Sequence, residues 1–168
     1  MDYDGVTRGI LIMTSNRLIA IPAAIAITAS AAWGITFQEE TRPAAEVELV
    51  LSTYKDALES LDVSDTQSLF TQNSRIFETG KYEGSYSDYL AHHIGPELGH
   101  FESFTFSDYE VDVQFEGSVA LASETYNYRI EIEGREPVER QGVATSALVQ
   151  DDGEWRIAVM HNSSRPLN

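Results

Sequence analysis

The residues after His100 form four long runs in which apolar and polar side chains largely alternate. The runs cover 101–115, 119–132, 138–149 and 154–163, and short glycine-containing segments separate them at 116–117, 133–137 and 151–153. Alternation with a period of two residues is typical of a half-buried β-strand. Glycine tolerates the positive φ angle that tight hairpins require. The pattern therefore predicts four strands joined by hairpins in an antiparallel sheet.

The residues before His100 instead show helical spacing. Segment 44–61 predicts a first helix, because apolar residues recur there at intervals of three and four: Val47, Val50, Leu51, Tyr54, Leu58 and Leu61. Helices followed by strands predict an α+β domain, with the helices packed on one face of the sheet.

Shorter elements are predicted between this helix and His100. Ser64-Asp65 is typical of the cap of a short helix that extends to about residue 70. Segment 74–78 predicts a short strand, and Gly80 and Gly84 bracket a turn. Segment 85–94 predicts a third helix that ends at Gly95, because Pro96 disfavours helix in the residue before it.

The amino-terminal segment differs from this body. Residues 18–37 contain no charged side chain, Arg17 precedes them, and acidic residues follow. A positive flank, an apolar stretch and a small-residue end are typical of a secretory signal. The A-x-A pattern at 29–31 predicts cleavage after Ala31, with a linker at 32–43 and the folded domain at 44–168. Met13 is an alternative start to Met1, because residues 13–17 followed by the apolar run resemble a more usual signal.

The alternative interpretation of this segment is an uncleaved membrane anchor that reaches about residue 37. Roughly 20 residues can just span a bilayer, although Pro22 and Gly34 interrupt the stretch. In both interpretations the body is exported, to a periplasm or outside the cell, and it meets a membrane only if residues 18–37 stay uncleaved. The absence of cysteine suits an oxidising compartment.

The composition excludes several kinds of partner and chemistry. The chain has 27 acidic and 11 basic residues, for a formal charge of −16. Because nucleic acids are bound largely through Lys and Arg, we expect no nucleic-acid partner. Without cysteine the chain has no disulfides, thiolate metal sites or cysteine nucleophiles.

Three motifs resemble those of a known family. The closing segment 153–165 reads GEWRIAVMHNSSR, with Trp, then Ile, then His-x-Ser-x-Arg. With Glu78-x-Gly80 and the stretch Tyr89-Leu90-x-His92-His93, it is similar to the SnoaL-like branch of the nuclear transport factor 2-like superfamily, over about residues 44–166. The resemblance implies a curved antiparallel sheet that wraps around helices as a cone and holds an apolar cavity. Many members dimerise through the sheet, so it also implies a homodimer.

The resemblance also suggests candidate site residues. His161, His93 and Glu78 are the candidate catalytic residues, and the candidate ligand-binding residues are His92, Tyr89, Ser163 and Arg165. Leu90 and Ile94 mark the buried stripe of the third helix, which turns His93 inward and His92 roughly 100° away.

The last strand allows two interpretations. By two-residue alternation His161 shares a face with Trp155 and Ile157, which predicts that it faces a pocket. Alternatively, the strand runs out of the core and its polar residues lie on the surface. Arg165 either binds a ligand carboxylate or forms a surface salt bridge. Six aromatic residues either line a ligand cavity or belong to the core or a dimer interface: Phe101, Phe104, Phe106, Tyr109, Tyr126 and Tyr128.

Three chemistries fit the histidines. His92, His93 and His161 with Glu78 have the donor types that suit zinc, copper, nickel or iron, but their spacing matches no metal signature, so we expect no cofactor. A histidine paired with Glu78 suits general acid–base catalysis. A buried hydrogen-bonded network that holds the helix to the sheet is the third alternative.

Three functions follow. The first is an exported domain that binds a small organic molecule in an apolar cavity, with or without catalysis. The second is a lyase or isomerase that uses His161 or His93 with Glu78. The third is a non-catalytic dimeric association domain, which a cavity filled by side chains would favour.

Overall fold

A long helix, two strands and a second helical region precede the four long strands, which confirms the predicted α+β class. The computed structural model describes residues 32–167, with side chains from residue 43 onward, so the predicted signal peptide at 1–31 lies outside the described residues. The elements are α1 (Ala32–Glu59), a 3₁₀ turn (Thr66–Leu69), β1 (Phe70–Glu78), β2 (Lys81–Gly84), α2 (Tyr86–Tyr89), a π turn (Leu90–Ile94), α3 (Gly95–Leu98), β3 (Phe101–Glu116), β4 (Val119–Ile132), β5 (Val138–Asp151) and β6 (Glu154–Pro166).

The strands form one curved sheet in the order β2-β1-β6-β5-β4-β3. Strands β3 to β6 are joined by the predicted hairpins, and β1 pairs with β6 in parallel. Strand β2 occupies the segment that was predicted as a turn. Thr79 and Gly80 reverse the chain by themselves, with φ angles of 44° and 84°, so the residues after them pair back with β1.

A bulge in β3 bends the sheet. The register against β4 shifts around Asp108, whose φ is 52° and whose Oδ2 accepts a 2.8 Å hydrogen bond from Asn127 Nδ2. A bulge adds one residue to one strand and increases the local twist. The inward-facing aromatic series therefore passes from Phe106 to Tyr109 across the bulge, a step of three residues.

A second bulge lies in β6. Leu148 pairs with Ile157, whereas the preceding Ala147 pairs with Val159, so Ala158 is the extra residue. Ile157 is fully buried before the bulge, and Met160 is buried after it. A shift of one residue sends every later side chain to the opposite face. The simple alternation that was predicted to turn His161 inward is therefore wrong.

Helix α1 fills the concave side of the sheet. Val47, Leu51 and Leu58 are buried there, as the spacing predicts. The helix extends beyond the predicted start at residue 44, through the segment 32–43 that was predicted as a linker, and contains Pro43. An interior proline removes one backbone hydrogen bond and clashes with the carbonyl four residues before it, so it kinks or ends many helices, but α1 continues through Pro43. Within the described residues, no helix combines the length and apolarity needed to cross a membrane.

The second helical region runs without a break from α2 through the π turn to α3, so the predicted end at Gly95 is wrong. The Gly95 N–H donates to the Leu90 carbonyl, five residues back. A Cβ at this position would lie 2.4 Å from that oxygen, so glycine allows the wider turn. Pro96 then occupies the first turn of α3, where its missing N–H costs little.

A side chain of α1 is bonded to the sheet beside the β3 bulge. Glu59 Oε1 accepts a 2.8 Å hydrogen bond from the backbone N–H of Phe106, and Oε2 accepts one of 2.7 Å from Lys55 Nζ. Partial burial alone raises the pKa of Glu59, but these two hydrogen bonds outweigh it and lower the pKa. The carboxylate therefore joins the helix to the sheet at the edge of the concave face.

We predict that Glu59→Ala lowers the free energy of unfolding by about 1–2 kcal/mol, because Phe106 loses a charge-assisted acceptor. Glu48→Ala, on the exposed side of the same helix, is the matched control. Since the folded pKa is lowered, the stabilisation by Glu59 is present above its unfolded pKa of about 4.3 and is lost as the pH falls through the folded value. Urea unfolding at pH 7 and near pH 3 measures both effects. An equal loss from both variants at pH 7 would contradict the role of Glu59.

Candidate functional site

An aromatic-lined cavity of about 140 Å³ lies between α1, the second helical region and the concave face of the sheet. All six aromatic residues that were singled out from the sequence contribute to its wall: Phe101, Phe104, Phe106, Tyr109, Tyr126 and Tyr128. Their rings contact one another edge-on and face to face, for example Phe104 and Phe106 with centroids 4.8 Å apart. The cone is therefore not filled by side chains.

The space for one of these rings depends on a glycine. Gly142 on β5 pairs with Tyr126 on β4, and a Cβ at Gly142 would lie 2.2 Å from the Tyr126 ring. The ring therefore lies flat over the glycine, which keeps it against the wall.

Glu78, Tyr89 and His93 meet at one side of the cavity. The Tyr89 hydroxyl donates to Glu78 Oε2 at 2.7 Å, and His93 Nε2 lies 3.1 Å from the same oxygen. The Tyr89 and His93 rings stack with centroids 5.2 Å apart. Burial raises the pKa of Tyr89, and the charge of Glu78 raises it further, so this phenol stays protonated and remains a donor.

Both contacts fall on one oxygen of the Glu78 carboxylate. Among the residues that the structure describes, no hydrogen bond or ion pair reaches Glu78 Oε1. Glu78 and Tyr89 belong to the cavity wall, whereas His93 is not among the wall residues. His93 turns toward Glu78, as the helical stripe predicts. Its Nε2 contacts Glu78 Oε2 without contributing to the cavity wall. Glu78 and Tyr89 are therefore the members of the group that line the cavity.

A second carboxylate in the wall was not anticipated from the sequence. Glu124 on β4 is 8% exposed, and its Oε1 accepts a 2.6 Å hydrogen bond from the Tyr109 hydroxyl. Burial raises the pKa of Glu124, and the bond from Tyr109 opposes that rise only in part. The signal was present in the alternation, because Glu124 follows the inward-facing Ala120 and Ala122 at two-residue steps.

Of the four remaining candidate residues, Ser163 lies at the cavity wall and the other three lie away from it. His161 is exposed on the outer face of the sheet, where its ring lies 6.4 Å from that of Phe77. Arg165 is also exposed, and it donates to Gln141 Oε1 at 2.7 and 3.0 Å instead of reaching the cavity. Ser163 lies at the cavity wall between two more buried neighbours, and its residue is largely exposed. His92 is exposed on the second helical region.

The predicted metal ligands do not converge. The β6 bulge puts His161 on the opposite face of the sheet from Glu78, and His92 projects to the surface one residue from His93. Within the described part of the chain, no group of three or more His, Cys, Asp or Glu residues is arranged to hold a metal ion.

Known structures share this architecture. A candidate scytalone dehydratase from Novosphingobium aromaticivorans superposes with a TM-score of 0.68 at 12% identity, covering 77% of this chain and 88% of the other. A nuclear transport factor 2-like superfamily protein from Salmonella enterica has a TM-score of 0.65 at 16% identity, covering 76% and 94%. A hexachlorocyclohexane dehydrochlorinase from Novosphingobium barchaimii has a TM-score of 0.65 at 13% identity, covering 77% and 93%.

The sequence comparisons give the family. No curated protein matches the chain. The sequence profile of the SnoaL-like domain matches residues 47–167, which include every strand of the sheet and the whole cavity wall. The chain therefore belongs to the SnoaL-like domain family, and its fold is that of nuclear transport factor 2-like structures.

Proposed function

We propose that this domain binds a small organic molecule in the aromatic cavity. The observation that carries the proposal is the cavity itself: it is open, eight aromatic side chains line it, and three carboxylates contribute to its wall. Binding sites for small molecules are typically concave and mostly apolar, with a few polar groups that orient the ligand. In a purely structural hydrogen-bonded network, Glu78 Oε1 and Glu124 Oε2 would both have protein partners. Among the described residues, neither oxygen has one.

Filling the cavity should abolish binding. Ala144 is buried in the wall, and the next residue, Thr145, is exposed on the outer face of the same strand. We expect 2-phenylethanol to shift the backbone amide NMR signals of Phe104 and Tyr126 in the wild type and in Thr145→Leu, but not in Ala144→Leu. Signals that shift equally in both variants, or in neither the variants nor the wild type, would contradict binding in this cavity.

A second function, proton transfer at carbon, is favoured by one observation. Tyr89 and His93 both contact Glu78 Oε2, and no hydrogen bond or ion pair from the described residues reaches Oε1 of this wall residue. A carboxylate held in this way is oriented to remove a proton from a carbon acid. The electrons of the broken C–H bond then expel a leaving group from the neighbouring carbon and form a double bond, or a proton returns at another carbon. An expelled hydroxyl group takes a proton from solvent and leaves as water.

The similar structures are consistent with this chemistry. One is described as a dehydratase candidate and another as a dehydrochlorinase, and both names denote eliminations. In the mechanism proposed for this chain, Glu78 is the base, and Tyr89 and His93 position it. His161, which faces away from the cavity, has no part in the step.

Glu78→Gln should lower the rate of proton transfer by about 10²–10⁴-fold, the usual contribution of a general base. Exchange of the α-protons of cyclic ketones and β-hydroxy ketones in D₂O, followed by NMR, measures the transfer without knowledge of the natural substrate. His93→Gln should give a smaller loss, and the exposed His92→Gln should give none. Wild-type exchange no faster than buffer, or equal losses from His92→Gln and Glu78→Gln, would leave binding as the function.

We also propose that the domain forms a homodimer through the outer face of the sheet. Leu121 and Val143 are exposed there, at 45% and 44%. Eight neighbouring outward positions of β4, β5 and β6 carry no Asp, Glu, Lys or Arg, although the chain has a charge of −16 and Arg129, Glu131 and Glu139 lie farther along the same face: Leu121, Ser123, Thr125, Val143, Thr145, Ala147, Val159 and His161. An uncharged patch on such an acidic protein suits contact with a second copy.

Leu121→Glu should convert the dimer to a monomer, because it would bury two unpaired charges at a two-fold interface. Leu49→Glu adds the same charge at an exposed leucine of α1 and should leave the mass unchanged. Light scattering after size-exclusion chromatography distinguishes the two. A monomeric wild type would refute the proposed interface.

Finally, we propose that the body is exported after cleavage behind Ala31. The uncharged run at 18–37, its positive flank and the A-x-A pattern support this proposal. When the full chain is expressed in bacteria, we expect a product in the periplasmic fraction that begins at Ala32. Ala29→Arg with Ala31→Arg should block cleavage, because the signal peptidase requires small residues there. An uncleaved wild-type chain in the membrane fraction would favour the anchor instead.

A further inference from the structure

The cavity wall is negatively charged, which bears on the kind of ligand it accepts. Glu78, Glu97 and Glu124 contribute to the wall, and Lys55 is the single basic residue there. Lys55 Nζ lies 2.7 Å from both Asp56 Oδ1 and Glu59 Oε2, so its charge is matched by two acids of its own helix. The predicted cation for a ligand carboxylate, Arg165, lies outside the cavity. An anionic ligand would therefore find no unmatched cation in this wall.

Of these three acids, Glu124 has the least favourable environment for a charge. Its side chain is more than nine-tenths buried, and its single hydrogen bond comes from Tyr109 to Oε1. Among the residues that the structure describes, no ion pair includes Glu124, and no hydrogen bond reaches its Oε2. Burying a charge with a single donor is unfavourable, so a donor or a cation from outside the chain would stabilise the ionised form of this group.

The aromatic rings beside Glu124 already accept an ammonium group. Lys55 Nζ lies 5.9 Å from the centroid of Phe106 and 5.8 Å from that of Tyr109. Tyr126 stacks near Tyr109, and the charge of Glu124 adds to burial in raising the pKa of Tyr126, so this ring also lies within the field of the carboxylate. Ring faces next to a carboxylate attract organic cations through the ring quadrupole as well as through charge.

Resting on the proposed binding function, we infer that the cavity selects ligands that combine an apolar ring with a protonated amine. The amine donates to Glu124 Oε2 and lies against the faces of Tyr109 and Tyr126, while the ring of the ligand packs in the aromatic wall. Glu78, on the other side of the cavity, adds to the negative potential and contacts the part of the ligand away from the amine.

Three probes with one ring and different charges test this inference. We use 2-phenylethylamine as the cation, 2-phenylethanol as the neutral analogue and 3-phenylpropionate as the anion, each titrated calorimetrically at pH 7. The amine should bind at least tenfold more tightly than the alcohol, and the anion should bind most weakly. In Glu124→Gln the advantage of the amine over the alcohol should fall to within about twofold, while the affinity for the alcohol is retained.

The matched control is Glu110→Gln. It removes one acid from the outer face of β3, next to Tyr109 in sequence, and it should leave the preference for the amine intact. Titration in 1 M NaCl separates the site from the general acidity of the protein, because the Debye length is then about 3 Å. A preference that survives this salt in the wild type and is reduced in Glu124→Gln supports the site. Glu78→Gln should reduce the preference by a smaller factor, and it provides a second variant if Glu124→Gln does not fold.

Several results would overturn the inference. They are equal affinities for amine and alcohol, tighter binding of the anion, a preference that 1 M NaCl abolishes in the wild type, or an equal loss of preference in Glu110→Gln and Glu124→Gln. Binding of the alcohol without any preference for the amine would refute the inference alone and leave the proposed binding function in place. Binding of none of the three probes would refute both.

Discussion

Each strand of this sheet presents successive residues to opposite faces, so one inserted residue reverses every side chain beyond it. Insertions in β3 and β6, among them one at Asp108 and one at Ala158, therefore determine which side chains reach the cavity. The first brings Tyr109 into the aromatic series that begins with Phe104 and Phe106. The second turns Met160 inward and His161 outward. The composition of the site depends on these two points more than on any single contact within it.

The neighbours of Glu78 and Glu124 stabilise the charges of these two carboxylates to different degrees. Glu78 accepts a hydrogen bond from Tyr89, has His93 Nε2 3.1 Å from the same oxygen and is only partly buried, so its charge is supported by the second helical region. Glu124 is more deeply buried and has one donor, Tyr109, whose position depends on the β3 bulge. The bulge thus produces both the shape of the wall and the single support of its least stabilised acid. The position of Tyr109 in the wall and its hydrogen bond to Glu124 are therefore both consequences of the β3 bulge.

Much of the fold was predictable because its signals are local. Alternation and glycine turns predicted the four long strands. The stripe of Leu90 and Ile94 predicted that His93 turns inward, and the structure places it against Glu78 but outside the cavity wall. The position of His161 was not predictable from alternation, because a bulge shifts the register without a distinctive residue at Ala158. The continuation of the helical region through Gly95 was also missed, since the local rule for Pro96 does not include a preceding π turn.

Glu124 illustrates a different limit. Its inward position follows from the alternation of β4. However, nothing in the sequence distinguishes this residue from the other acids of a chain that has 27 of them. Only the structure shows that Glu124 lies in the cavity while other acids, such as Glu110 on the next strand, lie on the surface. The high negative charge by itself indicates solubility and disfavours nucleic acid. Its placement says more, because acids inside the cone would act on a bound ligand in a medium of lower dielectric constant than water, where each charge has a larger effect.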